Sequence, residues 1–182
     1  IQGLTIEDLA IVEEHRVLRH DHLCKIENLD HLVLASKEAR ILPGCDVLTR
    51  SGLIMRHDII KVPIIGKNNN VISIFSFVND RTCTVNLLEL LDLYISEYAN
   101  KKVAVSYMLK HLDWSRFFIH EPSHSELRVL LSIYYHGEDR GYVALRLNKS
   151  FKTVQKHIDG LKDKLRPHEN FKKMVSSLRL VA

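Results

Sequence analysis

The alternation of apolar and polar positions predicts a β-hairpin in the first half of the chain. Residues 71–78 give the clearest strand signal, and residues 54–65 are also apolar and β-branched. Gly and Asn dominate the connection 66–70, and both residue types tolerate the positive φ of a tight turn. Pro63 lacks a backbone N–H, so it indicates an edge strand or the end of a strand.

Helical patterns lie on both sides of this hairpin. The spacing predicts a helix over residues 4–23 and one long helix over 86–112, whereas 42–46 is typical of a turn. The first half of the long helix is apolar on more than one face, which is typical of a helix that is buried or shared with a partner chain. Residues 113–123 include a proline and are the predicted linker.

The last third of the chain gives only helical signals. Four short helices are predicted over residues 126–135, 140–147, 151–165 and 171–180. Asp139 and Ser150 are suitable N-caps for the middle two. The third helix has a single apolar stripe formed by Val154, Ile158, Leu161 and Leu165. Its opposite face carries Lys152, Lys156, Asp159 and Asp163.

Charge is distributed unevenly between these parts. The chain has 182 residues and a formal net charge of +4. Residues 121–182 hold 12 Lys and Arg against 7 Asp and Glu, whereas residues 1–120 hold 14 against 15. A basic carboxy-terminal module joined to a nearly neutral one is typical of a DNA-binding protein with a second domain.

Other compositional features exclude several classes of protein. Three widely spaced cysteines without a C-x-x-C motif indicate neither a disulfide framework nor a zinc site, and they suit the reducing cytoplasm. No apolar run is long enough to cross a membrane, and no secretory signal is present. The histidines lack the spacing of a metalloenzyme, and no nucleophile elbow or phosphate loop occurs, so we predict no enzyme, no metal and no evident cofactor.

Residues in and around the middle two predicted helices follow a characteristic set of spacings. The positions are Val143, Ala144, Leu147, Ser150, Thr153, Val154, His157, Leu161, Lys164 and Leu165, preceded by Glu126, Val129, Leu130 and Gly137. This arrangement resembles the LuxR/FixJ-type helix-turn-helix domain of bacterial transcriptional regulators. The resemblance covers about a third of the chain and implies that residues 151–165 form a recognition helix that enters the major groove of double-stranded DNA.

The recognition helix presents several groups suited to DNA. Hydroxyls at its amino-terminal end can bond phosphate oxygens, lysines can reach phosphate or guanine, and Gln155 can pair with adenine. The predicted DNA-binding residues are Ser150, Lys152, Thr153, Gln155, Lys156, His157 and Lys164. Asp159 and Asp163 would repel phosphates. Either Asp159 accepts from a cytosine amino group, or both acids lie where the helix has left the groove, so we expect residues 150–157 to make the contacts.

A second resemblance concerns the hairpin. The matching residues are Pro63, Gly66, the strand 71–77, Asp80 and Thr82. They are similar to the pattern that ends a PAS sensor domain, and residues 3–8 resemble its Gly-x-Thr-x-x-Asp turn. A PAS sheet has two strands before that turn. Either the chain therefore begins inside the domain, or the assignment is wrong.

Together these features predict an α+β protein in three segments. A PAS-like sensor domain would occupy residues 1–85, a connecting and dimerisation helix with its linker 86–121, and an all-α four-helix LuxR-type domain 122–182. The predicted homodimer seam is Leu87, Leu91, Tyr94, Ile95 and Tyr98. A two-fold dimer would read two half-sites, and a small-molecule signal sensed by the first domain would change operator binding.

Two alternatives remain from the sequence alone. The acidic residues Asp159 and Asp163 also suit a helix-turn-helix that has lost DNA binding and docks another protein. A haem or small-molecule sensor is the other alternative, with His31 or His57 as the candidate haem ligand.

Overall fold

The chain is an α+β protein that divides into two compact units, residues 1–85 and 86–182. The computed structural model describes residues 16–137 and 139–180. In that part of the chain, the first unit holds one α-helix, a three-stranded antiparallel sheet and a short 3-10 turn at Thr82–Thr84, and the second is built from helices. The predicted turn at residues 3–8 lies outside the described residues.

Helix α1 spans Arg16–Ser36 and precedes the sheet. The predicted helix over residues 4–23 begins outside the described residues, and the observed helix continues well past its predicted end. It stops at Lys37, whose φ is 57° and whose N–H donates to the Val33 carbonyl at 2.8 Å. A residue in this left-handed conformation ends a helix by satisfying one of its last carbonyls.

Strands β1 (Arg40–Leu48), β2 (Ile54–Ile65) and β3 (Val71–Asp80) form the sheet in that order. The predicted hairpin is confirmed by β2 and β3. Its turn is closed by the Gly66 N–H, which donates to the Asn70 carbonyl at 2.8 Å, and Asn69 has a φ of 57°. Pro63 lies beyond the last pair of β1 with β2, so only β3 flanks it and no bond to β1 is lost.

The prediction of a turn at residues 42–46 was wrong, because these residues belong to β1. Between Leu42 and Cys45 the pairing with β2 gains one residue, which is a β-bulge. Gly44 adopts a φ of 62° in the bulge, and its N–H donates to Asp58 Oδ1 at 2.9 Å. The sequence Pro-Gly thus marks a bulge within a strand here, whereas it more often marks a turn between strands.

The end of β3 is tied back to β2 by an Asp-x-Thr turn. Asp80 Oδ1 accepts from the Thr82 N–H at 2.8 Å and from its hydroxyl at 2.5 Å. The Thr82 hydroxyl oxygen in turn accepts from the Arg56 N–H at 2.9 Å. The two polar residues therefore end the strand by bonding each other and the neighbouring strand.

Helix α1 packs on one face of the sheet. Its Leu29 lies in a buried cluster with Cys45 and Ile59. Alternation along the strands directs Ile41, Phe75 and Phe77 to the other face, where each side chain is at least half exposed. In the described residues, the first unit therefore buries only one face of its sheet.

The second unit contains six described helices. They are α2 (Leu87–Glu97), α3 (Lys101–His111), α4 (His124–His136), α5 (Arg140–Arg146), α6 (Phe151–Asp163) and α7 (Phe171–Leu180). The four short helices predicted in the last third correspond to α4, α5, α6 and α7 and are confirmed. Their boundaries agree because local caps and a helical period define them.

The single long helix predicted over residues 86–112 was wrong. The chain breaks at Tyr98, whose extended backbone separates α2 from α3. Asn100 begins the second helix, since its side-chain oxygen accepts from the Lys102 N–H at 2.9 Å. An internal Asn that can cap a new helix competes with continuation of the old one.

The dimer seam predicted on this segment is mostly buried within the chain. Leu91, Tyr94 and Tyr98 are at most 4% exposed, and only Leu87 and Ile95 are partly exposed. Tyr94 bonds His111 of α3 at 2.9 Å, and Tyr98 stacks on Tyr107 of the same helix. The second apolar face of α2 is therefore an internal packing face, and Leu91, Tyr94 and Tyr98 are occupied within the chain. A dimer seam on this helix stays a prediction.

Residues 113–123 are also packed, although the sequence predicted a linker. Phe117 and Phe118 are buried, and Phe118 pairs with Leu165 in an isolated β-bridge. The Ile119 N–H donates to the Lys164 carbonyl at 2.8 Å, and the Arg166 N–H donates to the Phe117 carbonyl at 3.0 Å. Backbone hydrogen bonds therefore join this segment to the residues at the end of α6.

Replacement of Leu91 tests the internal role of α2. We expect Leu91→Ala to lower the free energy of unfolding by about 2–5 kcal/mol, because a fully buried leucine leaves a cavity. Urea denaturation at several protein concentrations measures this. An equal loss at every concentration agrees with an internal residue, whereas a loss that vanishes at high concentration would restore Leu91 to a dimer seam. Ile95→Ala, on the same helix but partly exposed, is the matched control and should cost less.

Candidate nucleic-acid interface

Helices α5 and α6 form a helix-turn-helix unit with a short connection. Asp139 caps α5, since its Oδ1 accepts from the Gly141 N–H at 2.9 Å. After α5, Asn148 turns the chain with a φ of 48°, and the Lys149 N–H donates to the Ala144 carbonyl at 2.9 Å. Asn tolerates this left-handed conformation better than most residues. The turn therefore carries the chain directly from one helix into the next.

The amphipathic helix predicted from the sequence is confirmed as α6. Ser150 caps it, because its hydroxyl oxygen accepts from the Thr153 N–H at 3.1 Å. The apolar stripe of Val154, Ile158 and Leu161 is buried. Packing on one side of the helix leaves the other side available for polar chemistry.

A partly buried ion pair fixes the carboxy-terminal end of α6 to the start of α4. Lys164 Nζ donates to Glu126 Oε2 at 2.6 Å, and the Ser123 N–H donates to the same oxygen at 2.6 Å. The Glu126 side chain is 11% exposed. On α6, Gly160 lies so close that a Cβ there would come within 2.5 Å of Glu126 Oε1. We call Glu126, Lys164 and Gly160 the α4–α6 clamp.

The direction in which the pKa of Glu126 is shifted agrees with this geometry. Burial raises the pKa of Glu126, but the hydrogen bonds from Lys164 and from Ser123 outweigh burial and lower its pKa below the ordinary value. The carboxylate is therefore ionised at neutral pH and retains its bond to the ammonium group. Sequence signals for the clamp were partial: Ser123 and Glu126 form a recognisable capping box, but no local pattern pairs Glu126 with Lys164.

The predicted DNA-binding residues divide into two groups in the structure. Six lie on or just before the amino-terminal half of α6: Ser150, Lys152, Thr153, Gln155, Lys156 and His157. Of these, Ser150, Lys152 and Lys156 are exposed. The hydroxyls of Ser150 and Thr153 are 2.8 Å apart and bond each other. Lys164 falls outside this group, because its ammonium group belongs to the clamp.

Gln155 participates in a polar network that the sequence did not indicate. Arg140 Nη1, on α5, donates to Gln155 Oε1 at 2.5 Å. Gln155 Nε2 donates to both oxygens of Asp159, at 2.8 and 2.9 Å, and Lys162 Nζ lies 3.2 Å from Asp159 Oδ1. Hydrogen bonds from Gln155 and Lys162 lower the pKa of Asp159. The negative charge that seemed unfavourable for DNA binding is thus partly compensated on the protein itself.

Two exposed apolar side chains lie on α5 and α6. Leu145 on α5 is 78% exposed, and Phe151 at the start of α6 is 56% exposed. Single exposed apolar residues are common on protein surfaces. Two of them on consecutive helices of the same unit are compatible with contact to thymine methyl groups or to another protein.

The described residues offer little evidence for a metal or haem site. His22 Nδ1 lies 3.0 Å from Cys45 Sγ, and burial lowers the pKa of His22 and raises that of Cys45. His57 is paired with Cys45 across β1 and β2, whereas His31 is exposed. Among the described residues, no three His, Cys, Asp or Glu side chains converge as metal ligands. Because burial raises the pKa of the Cys45 thiol, the thiol is protonated at neutral pH, and a protonated buried thiol is a weak nucleophile and a weak metal ligand.

Comparisons with known proteins find only distant structural similarity. No protein-family profile matches the sequence, and no curated protein is significantly similar to it. Among solved structures, a Vibrio cholerae VqmA–ligand–DNA complex is 17% identical, with a TM-score of 0.36 over 86% of this chain and 61% of that one. The phage VqmA–DPO complex is 16% identical, with a TM-score of 0.37 over 90% and 62%.

A third similar structure is the Vibrio cholerae VqmA dimer without target DNA, described as a LuxR-type receptor. It is 15% identical, with a TM-score of 0.31 over 90% of this chain and 63% of that one. The chain thus spans about six tenths of the length of these proteins. Similarity at this level is too distant to bear on function. Separately, no described helix of this chain is long and apolar enough to cross a membrane.

Substitution at Gly160 tests the clamp. Helix propensity alone predicts that Gly160→Ala stabilises the protein by about 1 kcal/mol. Because the new Cβ would collide with the bound Glu126 carboxylate, we expect a loss of about 1–3 kcal/mol instead, measured by urea denaturation.

The double variant Gly160→Ala/Glu126→Ala provides the control for this experiment. With the carboxylate gone, alanine at position 160 should no longer cost stability relative to Glu126→Ala alone. Stabilisation by Gly160→Ala in the otherwise unchanged protein would contradict the close contact.

Acid should weaken the clamp over a defined range. The pKa of Glu126 is lower in the folded than in the unfolded chain, so its contribution is fully present above the unfolded value, about 4.3. It is lost as pH falls through the lower folded value. We expect thermal unfolding of Glu126→Gln to show a weaker dependence on pH below about 4.3 than the unchanged protein. Identical pH profiles would show that Glu126 contributes nothing to acid sensitivity.

Proposed function

We propose that the protein is a DNA-binding transcriptional regulator of the LuxR type. The observation that carries this proposal is the capped helix α6. Its apolar stripe is buried, and its amino-terminal half carries the exposed lysines Lys152 and Lys156. A helix-turn-helix inserts the start of its second helix into the major groove. The basic charge of the last third of the chain favours a polyanionic partner.

Individual side chains take distinct roles in this proposal. Lys152 and Lys156 neutralise phosphates or donate to guanine, and Gln155 reads adenine. Ser150 caps the helix, and the hydroxyls of Ser150 and Thr153 donate to phosphate oxygens. His157 lies on the flank of the helix and would contact the DNA backbone. Lys164 is left out of the interface, since it holds α6 to α4.

We further propose that the protein acts as a homodimer and that the first unit senses a signal. One recognition helix contacts only a few base pairs, so specific binding requires two half-sites. The dimer surface must lie elsewhere than the buried residues Leu91, Tyr94 and Tyr98. The sensor role depends on the PAS-like pattern of the hairpin and its Asp-x-Thr turn, and a small molecule is the class of signal it suits.

A protein-docking function is the second candidate. The exposed Leu145 and Phe151 favour it, since apolar side chains beside α6 would also suit a protein partner. A mobility-shift assay with random-sequence duplex at low salt separates the two. Retardation supports the DNA-binding regulator, and its complete absence at micromolar protein supports the docking module.

Replacement of Lys156 tests the proposed interface. We expect Lys156→Ala to weaken binding to a random-sequence duplex and to reduce the slope of log K against log salt by about one, because one phosphate contact is lost. Fluorescence anisotropy across a salt series measures both quantities. The control is Lys173→Ala, an exposed lysine on α7, which should leave the slope nearly unchanged. Equal slopes for both variants and the unchanged protein would remove Lys156 from the interface.

A further inference from the structure

Gln155 is held at both ends of its amide group. Its oxygen faces the guanidinium group of Arg140, at 2.5 Å, and its nitrogen faces the carboxylate of Asp159. Guanidinium groups only donate hydrogen bonds and carboxylates only accept them. The two ends of the amide therefore cannot be exchanged without breaking both contacts. The orientation of the Gln155 amide is fixed by charge and not by the helix alone.

This orientation matters because a glutamine recognises a base only when its donor and its acceptor face the matching groups of that base. In a bidentate contact with adenine, the oxygen accepts from the N6 amino group and the nitrogen donates to N7. The same side chain turned over presents the opposite pattern. An exposed glutamine without partners samples both orientations and loses conformational freedom on binding. A glutamine oriented in advance avoids that loss and discriminates more sharply.

The amide retains capacity for DNA. Its oxygen has a second lone pair beyond the one used by Arg140. Its nitrogen carries two N–H groups, and both oxygens that it bonds belong to the one carboxylate of Asp159, so a single N–H shared between them leaves the other for N7. Lys162 and Arg140 partly compensate the charge of Asp159 on either side of the network. The network therefore leaves the reading edge of Gln155 usable while it restricts its rotation.

We propose that Arg140 and Asp159 are positioning residues that set the base preference of Gln155. The proposal rests on the DNA-binding function proposed above. Arg140 lies on α5 and Asp159 lies one turn after Gln155 on α6, so the network also couples the two helices of the unit. Arg140 was not predicted from the sequence to contact DNA, and Asp159 was considered there only as an alternative contact to cytosine.

Selection of bound duplexes from a random pool provides the test, with the full chain and its variants. We expect the unchanged protein to enrich a site in which one position per half-site prefers a single base by about 5- to 150-fold, the range of a good bidentate contact. Gln155→Ala should abolish the preference at that position. Asp159→Ala should reduce it to nearly the same extent, and the double variant Gln155→Ala/Asp159→Ala should lose no more than Gln155→Ala.

The controls separate positioning from simple charge. Asp163→Ala removes an equal charge from the same exposed side of α6. We expect both Asp159→Ala and Asp163→Ala to raise the affinity for DNA, because each removes a negative charge, but only Asp163→Ala should keep the base preference. Asp159→Asn keeps an acceptor oxygen for Gln155 and should restore most of the preference. Arg140→Ala should broaden the preference at the same position. Circular dichroism confirms that each variant retains its helices.

The outcomes distinguish the two proposals. If the unchanged protein enriches no sequence and binds no duplex, the DNA-binding function is overturned and the inference falls with it. If it enriches a site and Asp159→Ala leaves every base preference intact, the inference alone is overturned. Loss of the Gln155-dependent preference in Asp159→Ala, with retention in Asp163→Ala and Asp159→Asn, supports both.

Discussion

The geometry of the candidate interface depends on the partly buried ion pair formed by Glu126 and Lys164. One carboxylate caps α4, accepts from the end of α6 and lies against Gly160. Removal of either partner would leave an uncompensated charge in a partly buried site, which is strongly unfavourable. Because Gly160 has no side chain, the two helices approach closely at this point. The clamp fixes one end of α6 and so determines where its opposite, cationic end projects.

Much of the second unit could be predicted from the sequence, because its signals are local. The caps Asp139 and Ser150 and the stripe through Val154 and Ile158 act over one or two helical turns, and the structure has the same elements. The break at Tyr98 was missed, since α2 is apolar on two faces and packs within its own unit. The packing of the segment around Phe117 was missed because its proline and polar residues indicated a linker, although Phe117 and Phe118 are buried.

The sheet was predicted less completely, since its geometry depends on contacts between distant residues. A bulge at Gly44 keeps β1 paired with β2 across a Pro-Gly sequence that normally indicates a turn. At the candidate interface, the polar residues of α6 could be read from the sequence, but the hydrogen bonds that join them to other helices could not. Arg140 and Gln155 are 15 residues apart, and Glu126 and Lys164 are 38 apart. No periodicity within one helix reveals such pairs.

Nuclear magnetic resonance titration of the isotopically labelled chain with a short random-sequence duplex at low salt tests whether α6 contacts DNA. We expect the amide signals of residues 150–157, together with that of Arg140, to shift as DNA is added, while those of β1, β2 and β3 change little. The clamp residues should keep their shifts, since they lie behind the interface. Absence of any shift, or shifts concentrated away from α6, would contradict the assignment of this helix to DNA recognition.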